Sequence, residues 1–362
     1  MKKNTGYLLF FPILLILVLP LVGAALMGKP LGVYLQFPPK PPAHPQPDFS
    51  WVVFIGLSIF ILSTTVPLVL RFFLHKSDAQ KTPPAKAFPW WGWAGVALGA
   101  VSWFLAWTRF PWMGEMQRHT FTPLWISFII VANAFLHRKT GRAPLIARTR
   151  EFLLLFPTSA FFWWSFEYLN RFLGNWRYTG DRPFTTIEYL IFATLPFSTV
   201  LPAVLTIREL IFSNARFDAA FRNWVPVSPT RPQLFALAAL LLSCLGLLAI
   251  SAFPNIVYPM VWVSPPLLLI SFSALYKRPQ ALSPIAKGDW RDFVASSFAA
   301  LFCGFFWEMW NYGSKMIWFY EVPYVSAFFI FEMPLLGYAG YLPFGILCAQ
   351  IGNMVLDQDS FG

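Results

Sequence analysis

The sequence predicts an all-α polytopic integral membrane protein, with about ten transmembrane helices and both termini on one side. Three observations predict it. Of 362 residues, 57% are hydrophobic and only 12% are charged, against roughly 25% charged in an ordinary soluble domain. Apolar runs recur along the chain at about 20 residues, the length needed to cross some 30 Å of hydrocarbon. Lys and Arg crowd into alternate loops, as the positive-inside rule requires.

The expected spans, in order, are 7–27, 51–74, 90–108, 121–137, 151–172, 187–207, 233–252, 258–276, 292–312 and 326–351. With Lys2 and Lys3 inside, 19 of the 27 Lys and Arg fall on that side and eight on the other. The net charge of +11 therefore orients the chain and meets anionic membrane lipids; it does not imply a nucleic-acid partner. A cell membrane, of the bacterial inner-membrane kind, is the expected location. The apolar stretch after the two lysines is longer than that of a secretory signal and is taken as a retained span.

Residues 1–87 form a two-helix hairpin. Its outer loop, 28–50, centres on Pro38-Pro39-Lys40-Pro41-Pro42, a composition that favours extended polyproline-like backbone. Its inner linker, 76–88, is basic and contains proline. The rest divides into two four-helix units, 88–231 and 232–362. At a shift of 141 residues, Arg150-Glu151-Phe152 falls on Arg291-Asp292-Phe293, Phe161 on Phe302, Glu167 on Glu308 and Asn170 on Asn311. Trp176-x-Tyr178 answers Trp318-x-Tyr320 one residue later. Because each unit holds an even number of helices, the two copies share one orientation, a parallel repeat.

Cys244, Cys303 and Cys348 all lie in expected spans, so no disulfide framework or metal-ligand spacing arises. His44, His75, His119 and His137 are scattered, and no Gly-rich phosphate loop or His-Glu-x-x-His occurs. These absences argue against nucleotide hydrolysis and a His-ligated metal, and no cofactor is expected.

The candidate site rests on carboxylates inside spans. Glu167 is about 16 residues into its helix, some 24 Å across, and the repeat places Glu308 likewise. Glu-x-x-Asn spacing sets Glu167 with Asn170, and Glu308 with Asn311, on one helix face. A buried carboxylate costs a few kcal/mol unless it is paired, protonated or wet, so it marks function by default. Glu332 precedes Pro334 and two glycines, Gly337 and Gly340, where the last helix is expected to kink or break. Glu188 begins the corresponding helix of the first copy. Trp176, Tyr178, Trp318 and Tyr320 fall where an interfacial aromatic belt belongs. They would equally line the mouth of an outward-opening pocket. Arg150 with Glu151, and Arg291 with Asp292, are expected as helix-start pairs.

An acidic residue, Trp-x-Tyr, then Glu and Pro on the next helix resembles the membrane carotenoid-processing domains of the lycopene-cyclase type. The resemblance covers a short stretch of each copy, and its paired-glutamate signature is missing, Met333 following Glu332. It implies an isoprenoid-like substrate. The expected function is thus a membrane enzyme or lipid-handling protein for a lipid-soluble substrate. Glu308 and Glu332 would be acid and base, Asn311 would orient one of them, and Glu167, Asn170, Trp176, Tyr178, Glu188, Trp318 and Tyr320 would bind. A proton- or cation-coupled transporter and a structural subunit are the alternatives.

Overall fold

A computed structural model describes residues 6–39, 46–75, 86–179 and 184–356. Lys40, Pro41 and Pro42 of the first loop, most of the 76–88 linker, Lys2, Lys3, Asp181 and Arg182 lie outside the described residues. Hydrocarbon offers no water to satisfy backbone N–H and C=O groups, so apolar runs of this length close their hydrogen bonds within helices.

The main helices are α1 (Gly6–Leu26), α2 (Trp51–Leu74), α3 (Trp90–Trp107), α4 (Phe121–Thr140), α5 (Thr149–Leu173), α6 (Thr186–Ser198), α7 (Val200–Phe212), α8 (Ala215–Arg222), α9 (Pro232–Ala249), α10 (Met260–Leu275), α11 (Arg291–Gly313) and α12 (Tyr341–Val355). Among the described residues, seven helical segments are long and apolar enough to cross a membrane. They correspond to α1, α2, α4, α6 running into α7, α9, α11, and α12 with the turn before it. Helix α10 is apolar but shorter, and α5 carries Arg150, Glu151, Glu167 and Arg171 along its length. The chain is an α-helical membrane protein.

Among the described residues, four short strands accompany the helices. β1 (Trp176–Tyr178) pairs antiparallel with β2 (Trp318–Tyr320), Trp176 opposite Tyr320 and Tyr178 opposite Trp318. β3 (Phe329–Ile330) and β4 (Met333–Pro334) form a tight hairpin. This corrects the last expected span: residues 326–334 are turn and hairpin, followed by a 3-10 segment, Leu335–Gly340, before α12 begins. Phe328 and Phe331 adopt positive φ, at 55° and 57°, which no helix accommodates. Pro334 lies in β4 and not inside a helix. The expected single span at 187–207 is likewise stepped at Thr199, where the chain passes from α6 to α7.

The core gathers where α4, α5, α7, α11 and α12 meet. Trp125 lies 5.0 Å from Trp307, Trp163 5.5 Å from Phe344, and Phe166 stacks on Trp262 at 5.2 Å. Between helices in lipid, such close packing replaces the hydrophobic effect as the source of cohesion.

The bundle end opposite the strands carries the charges. Arg208 is buried and bonds both Glu209, at 2.7 Å, and Asp292. Arg291 bonds Asp289 at 2.7 Å and Asp218 at 2.6 Å. Arg291 and Asp292 thus open α11 as expected, and their bonds run to Asp289 in the loop before it and to α8 and α7. Asp218 also holds Arg222 at 2.7 Å. Burial pushes the Asp218 carboxyl upward, but the two arginines outweigh it and hold the group below its ordinary value. A depressed value means the linkage is fully stabilising above about pH 4, the unfolded aspartate value, and is lost as pH falls through the lower folded one. Asp218→Asn is expected to flatten the acid limb of a melting-temperature profile taken below about pH 5.

Candidate functional site: two carboxylate–tyrosine clusters

Each Glu-x-x-Asn turn performs the same local task. Asn170 lies one turn before the end of α5. Its Nδ2 donates to the Trp176 carbonyl at 2.8 Å, and its Oδ1 accepts from the Trp176 N–H at 3.3 Å. Asn311 does the same near the end of α11, bonding the Trp318 carbonyl at 2.6 Å and accepting from the Trp318 N–H at 2.9 Å. An asparagine amide matches one peptide unit donor for acceptor, so each Asn clamps the first residue of a strand to its helix. Asn170→Ala or Asn311→Ala leaves a buried strand end unpaired. Each is expected to cost about 1–3 kcal/mol, read by thermal unfolding in detergent.

The clamped strands then deliver aromatic donors to the carboxylates. Glu167 is 2% exposed and Glu308 is 0% exposed. Glu167 Oε1 accepts from the Trp176 indole at 2.9 Å and from the Tyr178 hydroxyl at 2.5 Å. Its Oε2 receives Tyr189 at 3.5 Å, the outer limit of a bond. Glu308 Oε1 accepts from Tyr320 at 2.8 Å and from Tyr341 at 2.7 Å. Trp318 donates to the Tyr320 hydroxyl at 2.9 Å, not to the carboxylate. Glu308 Oε2 is consequently buried with no hydrogen-bond partner among the described residues. Burial foremost, then the adjacent glutamate, holds the hydroxyls of Tyr178 and Tyr320 well above the ordinary tyrosine value. Both therefore remain donors across the neutral range.

The two clusters share one cavity. Trp176, Tyr178 and Tyr189 from one cluster and Trp318, Tyr320 and Tyr341 from the other line it, with Trp163, Trp262 and Trp307 completing the wall. At about 80 Å³ it holds only a handful of waters. The β1–β2 pairing explains the meeting, because it lays the two Trp-x-Tyr segments side by side. Arg177 and Glu321 join the strands outside it at 3.1 Å.

Glu167, Asn170, Trp176, Tyr178, Glu308, Asn311, Trp318 and Tyr320 thus assemble at one end of the bundle. Trp176 is 5% exposed, so it is a buried donor and not a member of a lipid-facing belt. Glu332 sits in the β3–β4 turn, half-buried, and makes no hydrogen bond to Glu308. Glu188 is the third residue of α6 and closes a capping box with Thr185, accepting the Thr185 N–H at 2.8 Å. That bond fixes a helix start and points away from the site reading. Tyr189 and Tyr341 are the partners that sequence reasoning missed. The available signal is a tyrosine near the start of the helix that follows each Trp-x-Tyr.

The chain matches no protein-family model, no curated protein and no solved structure. Fold and site therefore define the class by themselves: an α-helical membrane protein with two buried carboxylate–tyrosine clusters facing one aromatic cavity.

Proposed function

We propose that this protein is an integral-membrane enzyme or lipid-handling protein, and that it draws a lipid or isoprenoid-like molecule to the cavity between the two clusters. The single observation behind this reading is Glu308. It is fully buried, fixed through Oε1 by two tyrosines, and has an unpartnered Oε2. Buried polar atoms are nearly always satisfied, and an exception directly behind a cavity wall, here the wall formed by Tyr320 and Tyr341, calls for a ligand or a transferable proton. Glu308 would give or take that proton, with Tyr320 and Tyr341 steadying the carboxylate through each state. Asn311 would hold the strand that carries Tyr320. Glu332 would be the second acid. Glu167 has donors on both oxygens, so its cluster serves to position and line.

Ten spans with both termini in the cytoplasm, and a duplicated four-helix unit, complete the reading. The matched Asn clamps and carboxylate–tyrosine bonds support the duplication, since both copies use the same residues in the same order. In this orientation the cavity opens toward the outer leaflet, where lipid headgroups lie.

The test is untargeted lipid profiling of a deletion strain complemented with wild type or with Glu308→Gln. Accumulation of one lipid in both the deletion and the Glu308→Gln strain supports the reading. Unchanged lipids, with both proteins made at normal levels, overturn it and move the assignment to proton- or cation-coupled transport.

A further inference from the structure

Helix α2 stands apart from the bundle. Only 6% of its most apolar window is buried, yet both its ends are tied. At its start, the Ser50 N–H bonds the Tyr324 carbonyl at 2.9 Å, and Phe54 packs on Phe328 at 5.3 Å. At its end, Arg71 bonds the Ala220 carbonyl at 3.0 Å, Arg216 reaches back to the Phe72 carbonyl at 3.0 Å, and Leu68 joins the apolar cluster of α8 and α11.

Between these ties lies a groove of about 400 Å³. Leu57, Ile61 and Thr64 form its α2 side, and Phe298, Gly340 and Ile346 its bundle side. The α2 residues that line it run from Leu57 to Leu68, eleven steps or about 16 Å along the helix. The two α2 hydroxyls that line it are spent on the helix's own carbonyls, Thr64 at 2.9 and 3.2 Å and Thr65 at 2.7 Å. The α2 wall therefore offers an apolar face, while Asn175 Oδ1 and Ser297 Oγ on the bundle side are buried without a partner among the described residues. Trp176, Trp262 and Tyr320 line both this groove and the carboxylate cavity, so the two are neighbours across one aromatic wall.

We infer that the groove is the seat of one extended hydrocarbon chain of a membrane lipid, which reaches it laterally beneath α2 while its polar end lies toward the carboxylate cavity. The inference rests on the lipid reading of that cavity and narrows the substrate to molecules with a linear apolar tail. The groove follows α2 for about 16 Å, a length that suits one extended chain laid along the helix. A strap tied at both ends and loose between them leaves a side opening without a break in the fold. The shared aromatic wall gives the tail a fixed relation to Glu308, which an annular lipid elsewhere on the surface would lack.

The experiment uses the full chain in bilayer nanodiscs with phosphatidylcholine that carries a diazirine in one acyl chain. Crosslinked peptides are mapped by mass spectrometry. Label is expected to concentrate on the groove segments of α2, α11 and α12 over the lipid-facing sides of α1 and α9. The expected margin is about fivefold, the ratio that roughly 1 kcal/mol of preference produces. Thr64→Trp and Ile61→Trp, which fill the groove, should each remove that excess. Leu62→Trp adds the same bulk at a position that is 55% exposed and does not line the groove, and should preserve it. Equal labelling of all lipid-facing helices overturns the inference, as does an excess that survives both filling variants. Glu308→Gln separates the two readings: labelling that persists while turnover is lost supports the groove together with the carboxylate chemistry. Turnover in the wild type without preferential groove labelling removes the groove alone.

Discussion

Replacing Glu308 by Gln is expected to cut lipid turnover about a hundredfold or more, the usual contribution of a positioned general acid or base. The substitution changes little else. A glutamine oxygen can still accept from Tyr320 and Tyr341, which lie 2.8 and 2.7 Å from Oε1, and the amide nitrogen takes the place of an oxygen that bonds nothing among the described residues. Folding should therefore be nearly retained. Glu167→Gln should behave the other way round. Both its oxygens face donors, so an amide nitrogen must either meet the Trp176 indole N–H, which can only donate, or make the Tyr189 hydroxyl accept and leave that O–H unmet. An unmet buried donor costs about 1–3 kcal/mol, and the loss should fall on stability more than on turnover. Turnover and melting temperature, measured on both variants in one detergent, check the contrast. Equal loss of turnover in the two would refute the division of labour between clusters.

Gly345→Ala is expected to destabilise the protein by about 3 kcal/mol, the upper end of the usual cost of overpacking. A Cβ there would lie 2.0 Å from the Ser296 carbonyl oxygen and 2.6 Å from its carbon. Both are backbone atoms within helices, so neither can turn aside. The contact joins α11, which carries Glu308, to α12, which carries Tyr341. Separation of the helices should therefore lengthen the Tyr341–Glu308 bond and lower turnover along with stability. Gly56→Ala on α2 is the control, because a Cβ there meets nothing within 4 Å and alanine favours helix by about 1 kcal/mol. It should leave the melting temperature unchanged or raise it.

The legible part of this site is the part with helical spacing. Glu167 with Asn170, and Glu308 with Asn311, share a face because residues three apart on a helix always do. Their place near a helix end follows from rise per residue alone. The Trp-x-Tyr segments are visible as a repeated pattern, but not their partnership. A three-residue strand has too few positions to display an alternation, and its register with a strand 142 residues away is set by the helices that bring the two together. Tyr189 and Tyr341 stay hidden for the same reason: nothing local marks which tyrosine on a helix meets a carboxylate on another. Residues 326–334 read as helix because they are apolar, whereas the backbone there turns through positive φ at Phe328 and Phe331. Tertiary packing against Phe49, Trp51 and Phe54 overrides the local composition at that point.

The β1–β2 ladder has a mechanical consequence. It ties the stretch after α5 to the stretch after α11, and it is extended on either side by bonds from Thr179 to Ile317 at 2.8 Å and from Glu321 to Asn175 at 2.9 Å. Any rocking of the first half of the chain against the second would have to unzip this seam, and with it the roof over both glutamates. The two halves are stitched at the end where an alternating-access machine would have to gape. Such a seam keeps both Trp-x-Tyr segments in one arrangement over the cavity they share.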